Sequence, residues 1–352
     1  MENKNYSKIE IFNKIALLSF MLSVLVVLIH NYSLEHFNIA SGTGYSIVSG
    51  FIFVIKECLT NFAVPFFFVI SAALFYRNYS LQETTKKYKS RFKSLVIPYL
   101  LWNTIWLIFN MIISVIPFIS SKIATRELFT FNITNILEGI FLFKYNGPFW
   151  YVCALIIFTV LCPLIYFMVK DPKIGLLSII LFICLYLCGL KLPFIRSDII
   201  IFYLIGAYLG IHAKTWLQKK NGKKPAIIAL VVFVLLIPIS YCFVKFTSNV
   251  LQMFCLLITQ SLQCFTLWIA LDLLKHENLP SILKTSFFIY AFHYNIESII
   301  VILFSIILPH NSFTLFISFT FGAAITISLC LLVAWIMKKW MKPVWNVLTG
   351  SR

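Results

Sequence analysis

Of the ionisable side chains in or beside otherwise apolar stretches of this 352-residue chain, the candidates for chemistry are His30, Glu57, Asp272, His293 and Glu297. Charged groups are costly to keep at membrane depth, so each one calls for a functional explanation. His30 closes the run Val26-Val-Leu-Ile-His30 and is followed by Asn31 and Tyr32. A neutral imidazole there can take the proton of an incoming hydroxyl and serve as general base. The plainer alternative is an interfacial histidine in a half-wet position. His293 and Glu297 are spaced i, i+4, which puts both on one helix face. The carboxylate could then orient the ring or hold its proton, or the pair could be a buried polar bond that glues helices. Asp272 lies one turn from Lys275 and reads as an ion pair at a membrane boundary.

The elements that must position these groups follow from composition. With 61% hydrophobic and 12% charged residues, the chain departs from soluble domains, which hold ~45–50% apolar and ~25% charged residues. Runs of about 20 residues, enough to cross ~30 Å of hydrocarbon, fall near 11–30, 58–76, 94–117, 147–169, 174–190, 197–213, 225–244, 250–274, 285–307 and 313–337. The expectation is an all-α polytopic membrane protein of about ten transmembrane helices, one domain over residues 1–352. The first run has no small-residue cleavage site after it and is expected to be retained as a helix. Tyr45 to Ile55 is too short to cross and is either interfacial or an extension of the second span. The longest outer connection, Ser120 to Asn146, is expected to act as a lid or acceptor-facing element.

Counted from His30 down to Phe12 at ~1.5 Å per residue, the imidazole is expected ~27 Å from the inner surface, at the outer mouth. His293 is expected only ~12 Å inside its span, with Glu297 deeper. The net charge of +17 would suggest nucleic acid in a soluble protein. Here most of the 29 lysines and arginines fall in alternate short loops. On the opposite side stand only Lys56, Lys122, Arg126, Lys144, Lys191, Arg196 and Lys245. Cytoplasmic loops are the basic ones, which places both termini in the cytoplasm of a cell-membrane protein. No Gly-rich phosphate loop, internal repeat or metal-ligand spacing supports a pump, an ATPase or a metal site. The nine cysteines lie in or beside apolar runs and show no disulfide framework.

Two inner loops are strongly basic: Glu83 to Lys93, and Lys214 to Lys224. Topology signal and lipid contact explain them most simply. The sharper reading is a landing surface for a polyanionic cytosolic donor such as a coenzyme A nucleotide, with Lys89, Arg91 and Lys93 closest to the helix end.

The ordered patches resemble acyltransferase family 3, the integral membrane O-acyltransferases of bacterial surface polysaccharides and related acceptors. The resemblance rests on Val26-Val-Leu-Ile-His30; Val64-Pro-Phe-Phe-Phe-Val-Ile-Ser71; Arg91-Phe-Lys-Ser-Leu-Val-Ile-Pro-Tyr-Leu-Leu-Trp102; Gly147-Pro-Phe-Trp-Tyr151; Phe202-Tyr-Leu-Ile-Gly-Ala-Tyr-Leu-Gly210; and Ser286 to His293. It implies ten core helices, an acyl-CoA donor, acetyl-CoA above all, reaching the protein from the cytosol, and an essential first-helix histidine, which is His30 here. The family's arginine eleven residues earlier is Ser19 in this chain, and its acidic residue four before that is Ile15. Relatives often carry an extracellular hydrolase-like domain. Only about ten residues follow the last span here, so the acceptor, a polysaccharide or lipid-linked glycan, is expected to be reached directly or through a partner such as a glycan synthase or export protein. Two other readings stay open: an inactive scaffold in polysaccharide export, and a transporter or binding module.

Overall fold

The structure is a computed structural model of the chain and describes residues 6–37, 39, 41–116, 129–193, 195–247 and 249–351. Residues 120–128 of the expected connection from Ser120 to Asn146 lie outside the described residues. Among them no strand forms, apart from an isolated bridge between Leu192 and Ile195. Among the described residues the helices of eight residues or more are α1 Lys8–Ile29, α2 Thr43–Phe53, α3 Ala63–Tyr76, α4 Thr84–Arg91, α5 Ile97–Ser114, α6 Ile133–Phe141, α7 Trp150–Val160, α8 Cys162–Val169, α9 Pro172–Leu187, α10 Ser197–His212, α11 Lys223–Phe246, α12 Asn249–Ala270, α13 Ser286–Ile307, α14 Ser312–Trp340 and α15 Lys342–Thr349.

Among the described residues, seven helical segments are long and apolar enough to cross a membrane: Lys8–His36, Thr43–Tyr76, Leu81–Ser114, Lys223–Phe246, Asn249–Leu273, Ser281–Ile307 and Ser312–Trp340. The fourth expected span is not straight. Gly147–Val160 and Cys162–Val169 meet at a 72° bend, where Pro163 removes a backbone donor and cannot continue the preceding ladder. Read as one broken span, it makes eight. The fifth and sixth expected spans are α9 and α10, 16 residues each. At ~1.5 Å per residue they rise only ~24 Å, short of a full crossing. The segment Tyr45 to Ile55 proves to be an extension: α2 runs through a wide helical turn, Val54–Leu59, toward α3.

Local sequence sets several boundaries. The Asp171 carboxylate accepts from the backbone N–H groups of Lys173 and Ile174, with Pro172 opening α9. This cap satisfies donors that a helix start leaves orphaned. Asn311 and Thr314 form a reciprocal capping box before α14. Gly350 ends α15 in the left-handed region at φ 66°, and a Cβ there would come within 2.7 Å of the Ser94 Cα.

The chain divides into two compact units, 1–22 with 54–88 and 157–283, and 23–53 with 89–156 and 284–352. In the first unit, Gly206 and Gly210 let α10 approach α3 closely. A Cβ on Gly206 would sit 2.8 Å from the Val69 Cα, and one on Gly210 would sit 3.0 Å from the Ala73 Cα. Small residues on adjacent turns are how membrane helices gain backbone contact without a hydrophobic drive between them.

The same unit corrects the expectation for Asp272. Its partner is not Lys275 but Lys14, and both side chains are fully inaccessible. The carboxylate also accepts from the Tyr6 hydroxyl at 2.5 Å and from the Asn221 backbone N–H and side-chain amide at 2.8 and 2.7 Å. The physical reason is the tight turn Leu271–Leu273 that ends α12 and buries Asp272, whereas Lys275 stays exposed. The Lys14 ammonium rests 4.2 Å from the Trp268 ring centre and 5.0 Å from that of Tyr6. Burial, reinforced by the Asp272 carboxylate, pushes the Tyr6 hydroxyl far above its ordinary pKa, so it stays a donor.

In the second unit, indoles bolt α5 to its neighbours. Trp106 Nε1 donates to the Ala291 carbonyl at 3.0 Å, and Trp102 Nε1 to that of Leu348 at 2.9 Å. Trp102, Phe288 and Trp345 stack edge to face or tilted within 5.6 Å. The residues after the last span are helical too, and α15 packs into this aromatic cluster.

Candidate active site

His30 sits at the turn that ends α1, half-buried, within the second unit. Its ring centroid is 5.5 Å from that of His293 and 5.3 Å from that of Tyr294, which meets it edge-on at 84°. His293 is fully buried. Its Nδ1 faces the carbonyls of Ile289 and Tyr290 at 3.0 and 2.8 Å. Carbonyls only accept, so Nδ1 carries hydrogen and a neutral ring keeps its lone pair on Nε2. An accessible imidazole thus stands beside a buried one of fixed tautomer, with a phenol at the edge.

The backbone that presents His30 is anchored by its neighbour. Asn31, 1% exposed, donates through Nδ2 to Glu297 Oε1 at 3.1 Å and to the Phe319 carbonyl at 3.3 Å. Its Oδ1 accepts from the Ser33 backbone N–H at 3.0 Å and from the Ser33 hydroxyl at 2.5 Å, and that hydroxyl lies 2.9 Å from Ser318 Oγ. Two turns below, the Ser23 hydroxyl donates to the Ser286 carbonyl at 3.1 Å, tying α1 to the start of α13. Gly322 keeps α14 open for Asn31, whose amide nitrogen would touch a Cβ there at 3.6 Å. Sequence spacing paired Glu297 with His293. In the structure the carboxylate reaches the first-helix turn through Asn31, while His293 Nδ1 is held by carbonyls of its own helix.

A second polar element lies close by. Asn103 Nδ2 donates to the Ile140 carbonyl at 3.1 Å, and Asn146 Nδ2 donates to Asn103 Oδ1 at 3.1 Å. Because a carbonyl cannot donate, this chain fixes the orientation of both amides. It leaves Asn146 Oδ1 buried and without a donor among the described residues. The next residue, Gly147, faces Tyr294: a Cβ there would lie 3.5 Å from the tyrosine oxygen. The loop before it is strained at Phe143, with φ 50°, a non-glycine residue in a sparsely populated region. Tyr290 donates its hydroxyl to the Pro148 carbonyl and stacks on Phe149 at 5.5 Å, so α13 also clamps this loop.

The remaining sequence candidates are more dispersed. Arg91 is half-buried and Lys89 and Lys93 are exposed, around the wide helical turn Phe92–Val96 that joins α4 to α5. Ser19 lies half-buried on α1 in the first unit, and Glu57 is exposed. Spacing alone missed Asn31, Tyr294, Asn103 and Asn146. The only available signal was adjacency: Asn31 follows His30, Tyr294 follows His293, and Asn146 precedes the Gly147 patch.

The fold and this cluster define a multi-pass membrane protein with an imidazole pair at the end of its first spanning helix. The chain belongs to acyltransferase family 3, whose acyltransferase domain matches residues 13–335, and its family is one of membrane acyltransferases. Comparison with curated proteins and with solved structures gives no match.

Proposed function

We propose that this protein is an O-acyltransferase that moves an acyl group, acetyl in the simplest case, from cytosolic acyl-CoA to a hydroxyl of a surface or lipid-linked glycan. The observation that carries the reading is the half-buried His30 ring set against the buried, tautomer-fixed His293 and the edge of Tyr294. His30 takes the proton of the acceptor hydroxyl as the hydroxyl oxygen bonds to the thioester carbonyl carbon. The carbon–sulfur bond then breaks, and the leaving thiolate takes the proton back from His30. General-base assistance of this kind contributes ~10²–10⁴-fold. Glu297 acts as a positioning residue through Asn31, and His293 and Tyr294 complete the wall beside the reacting oxygen.

In this reading both termini and the basic loops face the cytoplasm of the cell membrane, and the His30 turn faces outward. Lys89, Arg91 and Lys93 attract the donor's phosphates, with Ser19 on the donor side of α1. A glycan synthase or export protein delivers the acceptor.

The test uses proteoliposomes supplied with radiolabelled acetyl-CoA and a soluble oligosaccharide acceptor. His30→Ala should lower transfer by at least ~10²-fold with protein abundance and elution profile unchanged. Transfer that survives the substitution would remove His30 from the chemistry.

A further inference from the structure

The first unit contains a cavity of about 400 Å³, within the ~300–1,000 Å³ span of ligand sites. Its walls come from α1, α3, α10, the short helix Lys214–Gln218 and α12, and they are apolar almost throughout: Ile15, Phe66, Ile70, Phe202, Leu209 and Phe265 among them. Trp216 and Phe265 stack at 5.2 Å and 6°, giving one flat wall. Such a lining would leave most amides and hydroxyls of a pantetheine arm unpaired. It suits a hydrocarbon chain.

Three polar features sit on this apolar box. Arg77, which follows the last residue of α3, lines the cavity, and no ion pair to its guanidinium occurs among the described residues. Trp268 lines it too; this indole is 5% exposed and its Nε1–H has no acceptor among the described residues. The Lys14 ammonium lies 4.2 Å from the centre of the same ring, leaving the N–H to be satisfied by a carbonyl from a ligand. Basic residues continue beyond the helix ends of this unit, at Lys86 and Lys87 and from Lys214 to Lys224.

We propose that the first unit holds an anionic phospholipid. One fatty chain fills the cavity, an ester carbonyl accepts from Trp268 Nε1, and the phosphate pairs with Arg77, a guanidinium being suited to bidentate phosphate contact. The residues of this site include none of the His30 cluster. A phospholipid rather than a soluble amphiphile is the occupant, because the cavity is built from apolar membrane helices and its arginine lies at a basic helix end, where headgroups collect.

The experiment reads lipid retention by native mass spectrometry of the full chain released from nanodiscs containing phosphatidylglycerol and phosphatidylcholine of equal chain length. Wild-type protein should retain phosphatidylglycerol at least ~10-fold over phosphatidylcholine, which has the same phosphate but adds a choline cation that Arg77 and the helix-end lysines repel. Arg77→Gln should erase that preference, and Ile70→Trp, which fills the cavity, should reduce retention of both lipids. His30→Ala should retain lipid like the wild type, so failure of the acyltransferase reading would leave this result standing. Equal retention of the two lipids by wild-type protein, or an unchanged preference in Arg77→Gln, overturns the proposal. Displacement of phosphatidylglycerol by stoichiometric palmitoyl-CoA would also overturn it and assign the cavity to a fatty acyl donor. Each variant is checked for an unchanged elution profile, and Arg77→Lys, which keeps the charge, should restore part of the preference.

Discussion

The buried pair Lys14 and Asp272 allows a prediction with a sign that depends on which partner is removed. Both side chains are inaccessible, so desolvation opposes the pair and only its hydrogen bonds and mutual attraction hold it. Asp272→Ala strands the Lys14 ammonium against the faces of Trp268 and Tyr6 and also removes the acceptor of Tyr6 and Asn221. An uncompensated buried charge costs ~3–5 kcal/mol. Lys14→Met leaves a carboxylate that still accepts from the Tyr6 hydroxyl and from two Asn221 donors. Its cost should be smaller, ~1–3 kcal/mol, because hydrogen-bonded donors stabilise the remaining charge. The double variant Lys14→Met with Asp272→Leu removes both charges and should recover ~2 kcal/mol or more relative to Asp272→Ala. Thermal unfolding in detergent micelles, followed by tryptophan fluorescence, checks the order. Asp272→Ala should lower Tm by about 4–7 °C, Lys14→Met by less, and the double variant should lie above Asp272→Ala. A Lys14→Met variant as damaged as Asp272→Ala, with no recovery in the double variant, would refute the claim that a stranded ammonium dominates.

Three further outcomes follow from the same geometry. His276 is buried beside this pair, and burial, aided by Lys14 and Lys220, lowers its pKa from the ordinary 6.5 against the opposing Leu271 carbonyl and Asp272. The unfolded chain therefore binds this proton first as pH falls, so stability should decline as pH drops below about 6.5, and His276→Asn should flatten that part of the Tm profile. Gly206→Ala should cost ~1–3 kcal/mol by pushing α10 off the Val69 backbone, read as a lowered Tm with retained membrane insertion. If Asn146 Oδ1 accepts from a second, non-reacting hydroxyl of the acceptor, Asn146→Ala should raise the acceptor KM by ~5–20-fold, the scale of one buried hydrogen bond, while hydrolysis of acyl-CoA in the absence of acceptor is unchanged; an unaltered KM would remove Asn146 from acceptor binding.

Much of the architecture was legible because a bilayer imposes a one-dimensional rule. Backbone polar groups must be satisfied within each crossing segment, so apolar length alone marks helices such as α11 and α14. The same rule falters where length is ambiguous: α9 and α10, at 16 residues, and the bend at Pro163 look like full spans in hydropathy alone. Helical spacing put His293 and Glu297 on one face, yet it could not say which partner each would meet. That was decided by α1, which brings Asn31 to Glu297 and His30 to His293 across separations of more than 250 residues. The same limit explains Asp272, whose nearest lysine in sequence is Lys275 and whose partner in space is Lys14.

The amino-acid order by itself determined the helical class, the membrane character and the histidine at the end of the first span, because local composition and a period of 3.6 residues suffice for each. Tertiary structure alone decided the pairing of imidazoles, the amide chain that leaves Asn146 Oδ1 without a donor, and the burial of Lys14. Contacts between distant segments depend on packing and on the balance of desolvation against attraction, neither of which is written in any short stretch of sequence.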